Sequence, residues 1–400
     1  MRLGVHDKAT RELIGEIAVA ERPDAARAVA AARDAFASWR GVPVVERARL
    51  LFRYADALER RREELALSVS RENGKTIADA RGEVRRGIEA VEFACGMPSL
   101  MMGDALPDVA RGIDSVSMRY PLGVCIGITP FNFPAMIPLW MFPIAIAAGN
   151  TFVLKPSPLT PLTSELLHAI AVESGFPSGV FGVVHGGAET AEALIEHPDV
   201  AAVSFVGSSQ AARRVQERAV REHKRVAALG GAKNYLIVMP DAVDSFTCDA
   251  VIGAAFGGAG QRCLAGSVVV AVGTAGDAFA PMLVDAAAKL RLGRGAEEGV
   301  EMGPVVSDEA LARIDGYVRR AREAGVTVLL DSRPVPGGGS FAAPVIFDAV
   351  DPSSELARDE IFGPVLAIVR VSTLDDAIAV ANRSRYGNAS SIFTRDGGSA

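Results

Sequence analysis

The spacing of apolar positions along this 400-residue chain divides it into stretches of different period. From Asp24 to Trp39, alanines and other apolar residues recur at helical spacing, and Asp24 after Pro23 suits an N-terminal cap. Glu46 to Asn73 reads as one long amphipathic helix that Gly74 can end, and Ile77 to Ala94 as another. Residues 103–121 lose the helical period and alternate weakly, as a hairpin does. Short apolar runs then alternate with helical segments. Val124–Ile128, Thr151–Lys155, Phe181–Val184 and Val200–Val206 read as strands, and a helix over Gln210–Arg221 follows the last. Such alternation implies a parallel sheet with helices on both faces, whose ligands bind beyond the carboxyl ends of the strands. Asn132, Lys155, Gly186 and Ser208 all fall there.

A second lobe starts near Gly231. Asn234–Val238 and Ser267–Val272 read as strands, with a helix running into a loop between them. Helices over 277–291 and 308–324, a strand over 326–330, and a Pro/Gly-rich surface loop from Arg333 to Ser340 come next. A strand after Val365, a helix over 375–383 and a strand at Ser390–Thr394 complete the pattern, which is α/β throughout.

Composition narrows the function classes. Hydrophobic residues at 49% and charged residues at 22% describe a globular protein with ample core, and a net charge of -6 without a basic cluster argues against nucleic acid. No charged residue lies between Arg119 and Lys155, yet Pro121, Pro130, Pro134, Pro138 and Pro143 punctuate that stretch. It reads as a buried strand, loop and helix entry rather than a membrane span. Cys95, Cys125, Cys248 and Cys263 are dispersed and the five histidines equally so, which argues against zinc and against a disulfide framework. The N-terminus lacks the apolar core of a signal peptide, so a cytoplasmic setting is expected.

The candidate chemistry lies in Gly253–Gly266, where Cys263 follows Arg262 in a run of small residues. A thiolate is a strong nucleophile, and an adjacent cation or backbone N–H groups can favour it. Alone, such a cysteine is more often core filler. There is no G-x-G-x-x-G; Phe205-Val206-Gly207-Ser208 offers instead a strand, a glycine turn and a helix N-terminus able to hold a pyrophosphate, or simply a good helix cap.

Taken together, Thr129-Pro130-Phe131-Asn132-Phe133-Pro134, Phe152-Val153-Leu154-Lys155-Pro156-Ser157, Phe205-Val206-Gly207-Ser208, Gly260-Gln261-Arg262-Cys263 and Glu360-Ile361-Phe362-Gly363-Pro364-Val365 resemble the aldehyde dehydrogenase superfamily in order and spacing. The resemblance implies a Rossmann-type NAD-binding domain (1–102 and 122–230), an oligomerisation hairpin (103–121) and an α/β catalytic domain (231–400). It also implies a homo-oligomer, dimer or tetramer. Cys263 is then the nucleophile, and the Asn132 amide with the Cys263 backbone N–H the oxyanion donors. Lys155 is expected on the adenosine ribose, Ser208 on the phosphate and Glu360 on the nicotinamide ribose. Thr129, Phe131, Gly186, Gly207, Gly230 and Phe362 complete the cofactor-binding set, with no metal. From the same resemblance the chain is expected to be short at both ends, without the closing segment of the catalytic lobe.

Two departures from the family pattern carry information. Hydrolytic members place a glutamate where Leu229 stands in Leu229-Gly230-Gly231-Ala232-Lys233-Asn234. Leucine cannot take a proton, so a thiol becomes the natural second substrate. Leu122–Cys125, Pro134–Pro143 and Gly253–Gly257 resemble the CoA-acylating methylmalonate-semialdehyde and malonate-semialdehyde dehydrogenases. There two arginines hold the substrate carboxylate, which map onto Arg262 and, in Gly82-Glu83-Val84-Arg85-Arg86-Gly87, Arg86. Pro158 replaces a glutamate that binds the adenosine ribose, which removes a repulsion against a 2′-phosphate and leaves NADP open beside NAD. The competing readings are a hydrolytic aldehyde dehydrogenase with another substrate and a truncated, inactive NAD-binding paralogue.

Overall fold

The computed structural model describes residues 2–332 and 338–400, so residues 333–337 of the expected Pro/Gly-rich loop lie outside the described residues. β1 (Arg2–His6) pairs with β2 (Leu13–Ala18), and β3 (Ala105–Ala110) pairs antiparallel with β4 (Ile113–Val116). The latter is the hairpin expected within 103–121, and every residue of both its strands is exposed.

The strands that follow are β5 (Val124–Ile128), β6 (Thr151–Lys155), β7 (Phe181–Val183), β8 (Val200–Val206) and β9 (Arg225–Leu229). They make one parallel sheet in the order β7-β6-β5-β8-β9. β5 and β6 are buried along their whole length, which is why they read as unbroken apolar runs. Val29, Ile126, Val153, Leu194 and Val203 belong to the core on this sheet.

The second sheet has the order β12-β13-β14-β11-β10-β15, built from β10 (Asn234–Val238), β11 (Gly266–Val272), β12 (Thr327–Asp331), β13 (Val345–Asp348), β14 (Val365–Val371) and β15 (Ser390–Phe393). Its pairs are parallel except β12 with β13. A separate core fills it, including Phe256, Val269, Phe279, Phe347 and Ile368. The chain accordingly forms two units. One takes residues up to Val5, Leu13–Glu72 and Ala80–Gly230; the other takes His6–Glu12, Asn73–Asp79 and Gly231–Ala400.

Some expectations need correction. The long helix over 46–73 is two helices, Val44–Arg60 and Arg62–Asn73, with Arg61 at φ -106°, ψ 17° between them. Residues 59–64 are all charged, so no apolar side chain anchors the helix between the buried Leu58 and Leu65. The chargeless stretch after Arg119 forms β5, the helix Met136–Ala147 and β6, and among the described residues no helix is long and apolar enough to cross a membrane. Pro138 sits in that helix's first turn, where its missing N–H costs nothing.

Candidate active site

In the first unit the expected cofactor residues gather at the carboxyl ends of the parallel strands. Lys155 ends β6, is 5% exposed, and its Nζ donates to the carbonyls of Pro156 at 2.9 Å and Gly186 at 2.8 Å. Burial, without a carboxylate to offset it, lowers its pKa to about 8. Thr129 follows β5, and its buried Oγ1 has no hydrogen-bond partner among the described residues. Gly186 follows the strand before it closely; a Cβ there would lie 2.0 Å from Thr190 Oγ1. Gly207 is equally restricted, since a Cβ would approach Phe205 Cζ to 2.6 Å.

Ser208 caps the helix Ser209–Arg221, its side chain accepting from the Ala211 N–H at 3.3 Å. The helix start is therefore both a capped end and a set of N–H groups for an anion. Gly230 follows β9, against Ser209. A glycine-walled strand end, a helix N-terminus, a buried cation and an orphaned hydroxyl form a donor set that fits a dinucleotide.

Asn132 is 6% exposed in the loop after β5. Two features hold that loop. Thr160 donates from its hydroxyl to the Phe131 carbonyl at 3.2 Å. The Glu83 carboxylate accepts from the N–H groups of Ala135 at 2.7 Å and Met136 at 3.1 Å, capping the helix that starts there. Glu83 belongs to the same Gly-Glu-Val-x-Arg-Gly pattern that singled out Arg86, and sequence reading missed its part in the loop. Arg86 itself stands on the solvent face of the helix Ile77–Cys95, its side chain 73% exposed and ion-paired with Glu89 at 3.2 Å.

In the second unit the helix Ser245–Phe256 ends in a tight turn, Gly257–Gly260. Gly258, Ala259 and Gly260 all have positive φ (58°, 53° and 70°), a left-handed run that costs Ala259 about 1 kcal/mol. The Gly258 N–H is held by Asp79 Oδ2 at 3.1 Å, and a Cβ on Gly260 would lie 2.2 Å from the Gly363 carbonyl. Gln261 is pinned by the Val306 N–H at 3.1 Å. The Cys263 carbonyl accepts from the side-chain amides of Asn234 at 2.8 Å and Asn388 at 3.0 Å. Both asparagines escaped the sequence reading because their partner is a backbone atom distant in the chain.

Cys95, Cys125 and Cys248 are buried and Cys263 is partly exposed. Its thiol is raised above the ordinary value, first by burial and further by the Glu360 charge, while the N–H groups of Cys263 and Leu264 and the Arg262 charge favour the thiolate. The sequence offered Arg262 as an aid to the thiolate; here its charge contributes least, because the guanidinium turns to the carbonyls of Gly253 and Ala254 at the end of the preceding helix. Its buried Nε has no partner among the described residues.

Glu360 accepts from the Ala232 N–H at 3.0 Å, and a Cβ on Gly231 would fall 2.0 Å from its Oε2. Burial raises the carboxyl of Glu360. Phe362, at φ 53°, continues the same loop, with Arg313 donating to the Ile361 and Phe362 carbonyls. Arg262, Cys263, Glu360 and Phe362 thus lie in one unit, and Thr129, Phe131, Asn132, Lys155, Gly186, Gly207, Ser208 and Gly230 in the other, with Arg86.

Comparison with known proteins gives the same family over the whole length. The chain is 50% identical over 397 residues to malonate-semialdehyde dehydrogenase 1 of Geobacillus thermodenitrificans, covering 98% of this chain and 82% of that one. The methylmalonate-semialdehyde dehydrogenase of Oceanimonas doudoroffii superposes with a TM-score of 0.96 at 43% identity, over 100% of this chain and 83% of that one. A Sinorhizobium meliloti 1021 protein solved as its NAD complex gives 0.97 at 40%, over 100% and 82%. The family profile described as Aldehyde dehydrogenase family matches residues 1–400, and this chain belongs to the aldehyde dehydrogenase family.

Proposed function

We propose that this chain is a CoA-acylating semialdehyde dehydrogenase: it oxidises malonate or methylmalonate semialdehyde with NAD and passes the acyl group to CoA, with loss of the carboxylate. The observation that carries the CoA step is Leu229. It ends β9 at the position of the hydrolytic glutamate, 59% exposed and without an atom that can accept a proton.

The residues divide the work as follows. Cys263 attacks the aldehyde carbon as its thiolate, and the Asn132 amide with the Cys263 N–H receives the oxyanion that forms. Lys155, Ser208 and the glycine-walled strand ends hold the dinucleotide, and Glu360 holds its nicotinamide ribose. The nicotinamide, when bound, supplies the hydride acceptor. Collapse of the oxyanion with loss of its hydride leaves a malonyl or methylmalonyl thioester on Cys263; its carboxylate departs as CO2 or bicarbonate, the α-carbon takes up a proton, and the CoA thiolate cleaves the resulting acetyl or propionyl thioester by attack at the acyl carbon, returning the Cys263 thiolate. The exposed hairpin β3–β4 meets a second copy of the chain in a homo-oligomer.

Two measurements test this reading. With malonate semialdehyde and NAD, adding CoA is expected to raise steady-state NADH formation at least about tenfold and to give acetyl-CoA by mass spectrometry. Equal rates with and without CoA, with free acid as product, would sink the acylating reaction. Arg86→Leu should raise KM for carboxylated aldehydes about 10- to 100-fold, the loss of one charge-assisted pair, and leave propanal unchanged; Arg262→Leu, which also releases the end of the preceding helix, should raise KM for carboxylated aldehydes by clearly more than for propanal. Equal losses on propanal would remove both arginines from carboxylate recognition.

A further inference from the structure

Cys263 lies in a four-residue turn, Arg262 to Ala265, closed by the Ala265 N–H donating to the Arg262 carbonyl at 3.0 Å. The closing hydrogen bond of such a turn holds its outer peptides. The central peptide, here between Cys263 and Leu264, is the one whose reorientation separates the common turn types. Its carbonyl is held from outside the turn. It accepts from the side-chain amide of Asn234 at 2.8 Å and from that of Asn388 at 3.0 Å, which occupies both lone pairs of the oxygen.

The two amides interlock. Asn234 opens β10 and is 3% exposed; its amide nitrogen also donates to the Ala265 carbonyl at 2.9 Å, and its oxygen accepts from the Ala389 N–H at 3.1 Å. Two carbonyls on the nitrogen side and an N–H on the oxygen side leave that amide one orientation. Ala389 follows Asn388 in the chain, and Tyr235 pairs with Ser390 in the register of β10 with β15. Asn234 therefore also holds the segment from which Asn388 reaches the same carbonyl.

We infer that Asn234 and Asn388 are positioning residues: together they lock the central peptide of the turn that carries Cys263, so that the sulfur and the backbone N–H groups on either side of it keep one arrangement. A peptide is planar and trans, so a fixed carbonyl fixes the Leu264 N–H in the opposite direction. Hydrogen bonds in series polarise one another, which makes the N–H of a doubly hydrogen-bonded peptide the stronger donor. The N–H groups of Leu264 and of Cys263 itself both favour the thiolate, in keeping with that placement. A nucleophile held in one orientation loses less of its rate to unproductive geometries. β15 then does more than extend the sheet, because the loop entering it delivers the second amide to the nucleophile's own carbonyl.

This inference rests on the reading of Cys263 as nucleophile, so its test has one arm with substrate and one without. With malonate semialdehyde, NAD and CoA, Asn388→Ala is expected to lower kcat roughly fivefold and to leave KM for NAD and for the semialdehyde within about twofold. Without substrate, the probe is iodoacetamide alkylation of the partly exposed Cys263, followed by peptide mass. Asn388→Ala should alkylate roughly threefold more slowly than the unsubstituted protein near neutral pH and match it in alkali, where the thiol is fully ionised. The charges facing the sulfur, Glu360 and Arg262, are the same in every variant. Asn234→Ser should act in the same directions, lowering kcat about tenfold or more, and adding Asn388→Ala to it should cost less than the product of the two effects.

Alkylation of Asn388→Ala near neutral pH at the unsubstituted rate or faster, a raised KM with unchanged kcat, or fully multiplicative effects in the double variant would each overturn the inference. Asn388 is exposed, so Asn388→Ala should fold with nearly the same melting temperature, and it decides alone should Asn234→Ser not fold. Absence of semialdehyde-dependent NADH formation in the unsubstituted protein would sink the functional reading instead, and the alkylation arm would still decide the placement of Cys263.

Discussion

Replacing Cys263 with alanine is expected to abolish semialdehyde-dependent NADH formation, a loss of roughly 10,000-fold or more, because no other group then forms the thioester. NAD affinity, measured by fluorescence titration, should change less than about twofold. The geometry supports a clean separation of the two. The Cys263 loop is held through its backbone carbonyl by Asn234 and Asn388 and through the left-handed turn before it, none of which uses the sulfur. The residues proposed to hold the dinucleotide lie at the ends of β5, β6, β8 and β9 and after β7. Appreciable residual turnover would remove Cys263 from its role, and loss of NAD binding would mean that the substitution acts on folding.

The second large effect is expected at Asn132. An oxyanion donor acts on charge that exists only after the thiolate has added, so Asn132→Ala should lower kcat about 100- to 1,000-fold with little change in KM. Single-turnover measurement without CoA isolates the step: NADH release should slow by the same factor as kcat. If NADH forms at the normal rate and only the CoA-dependent phase slows, Asn132 is not a donor to the first oxyanion. Replacing Glu83 would disturb the same loop, but through the helix that starts at Met136, and so would alter stability as well.

The parallel sheet was legible because β5, β6 and β8 are runs of β-branched and apolar residues bounded by glycine and proline. β9 was not. Arg225-Val226-Ala227-Ala228-Leu229 is alanine-rich and pairs on one side only, so its strand character comes from its neighbour β8. β13 is four residues long, and β1 and β2 depend on each other as a two-stranded sheet. The site shows the same division. Lys155, Ser208, Cys263 and Glu360 sit in recognisable runs, whereas Glu83, Asn234 and Asn388 act on backbone groups far from them in the chain. A raised rather than lowered thiol at Cys263 was also beyond the sequence. Arg262 is adjacent in the chain, but burial outweighs it once the guanidinium is committed to the helix end.

That commitment bears on any attempt to give the enzyme a different aldehyde. Arg262 is part of the scaffold as well as a candidate carboxylate ligand, with its guanidinium lying over Gly257, where a Cβ would come within 2.9 Å of Cζ. A library randomised at position 262 would therefore screen for turn integrity as much as for substrate choice. Arg86, on an open helix face and ion-paired among the described residues with Glu89, carries no such burden. Retargeting is best begun there, with Arg262 varied only after the helix end has been stabilised by other means.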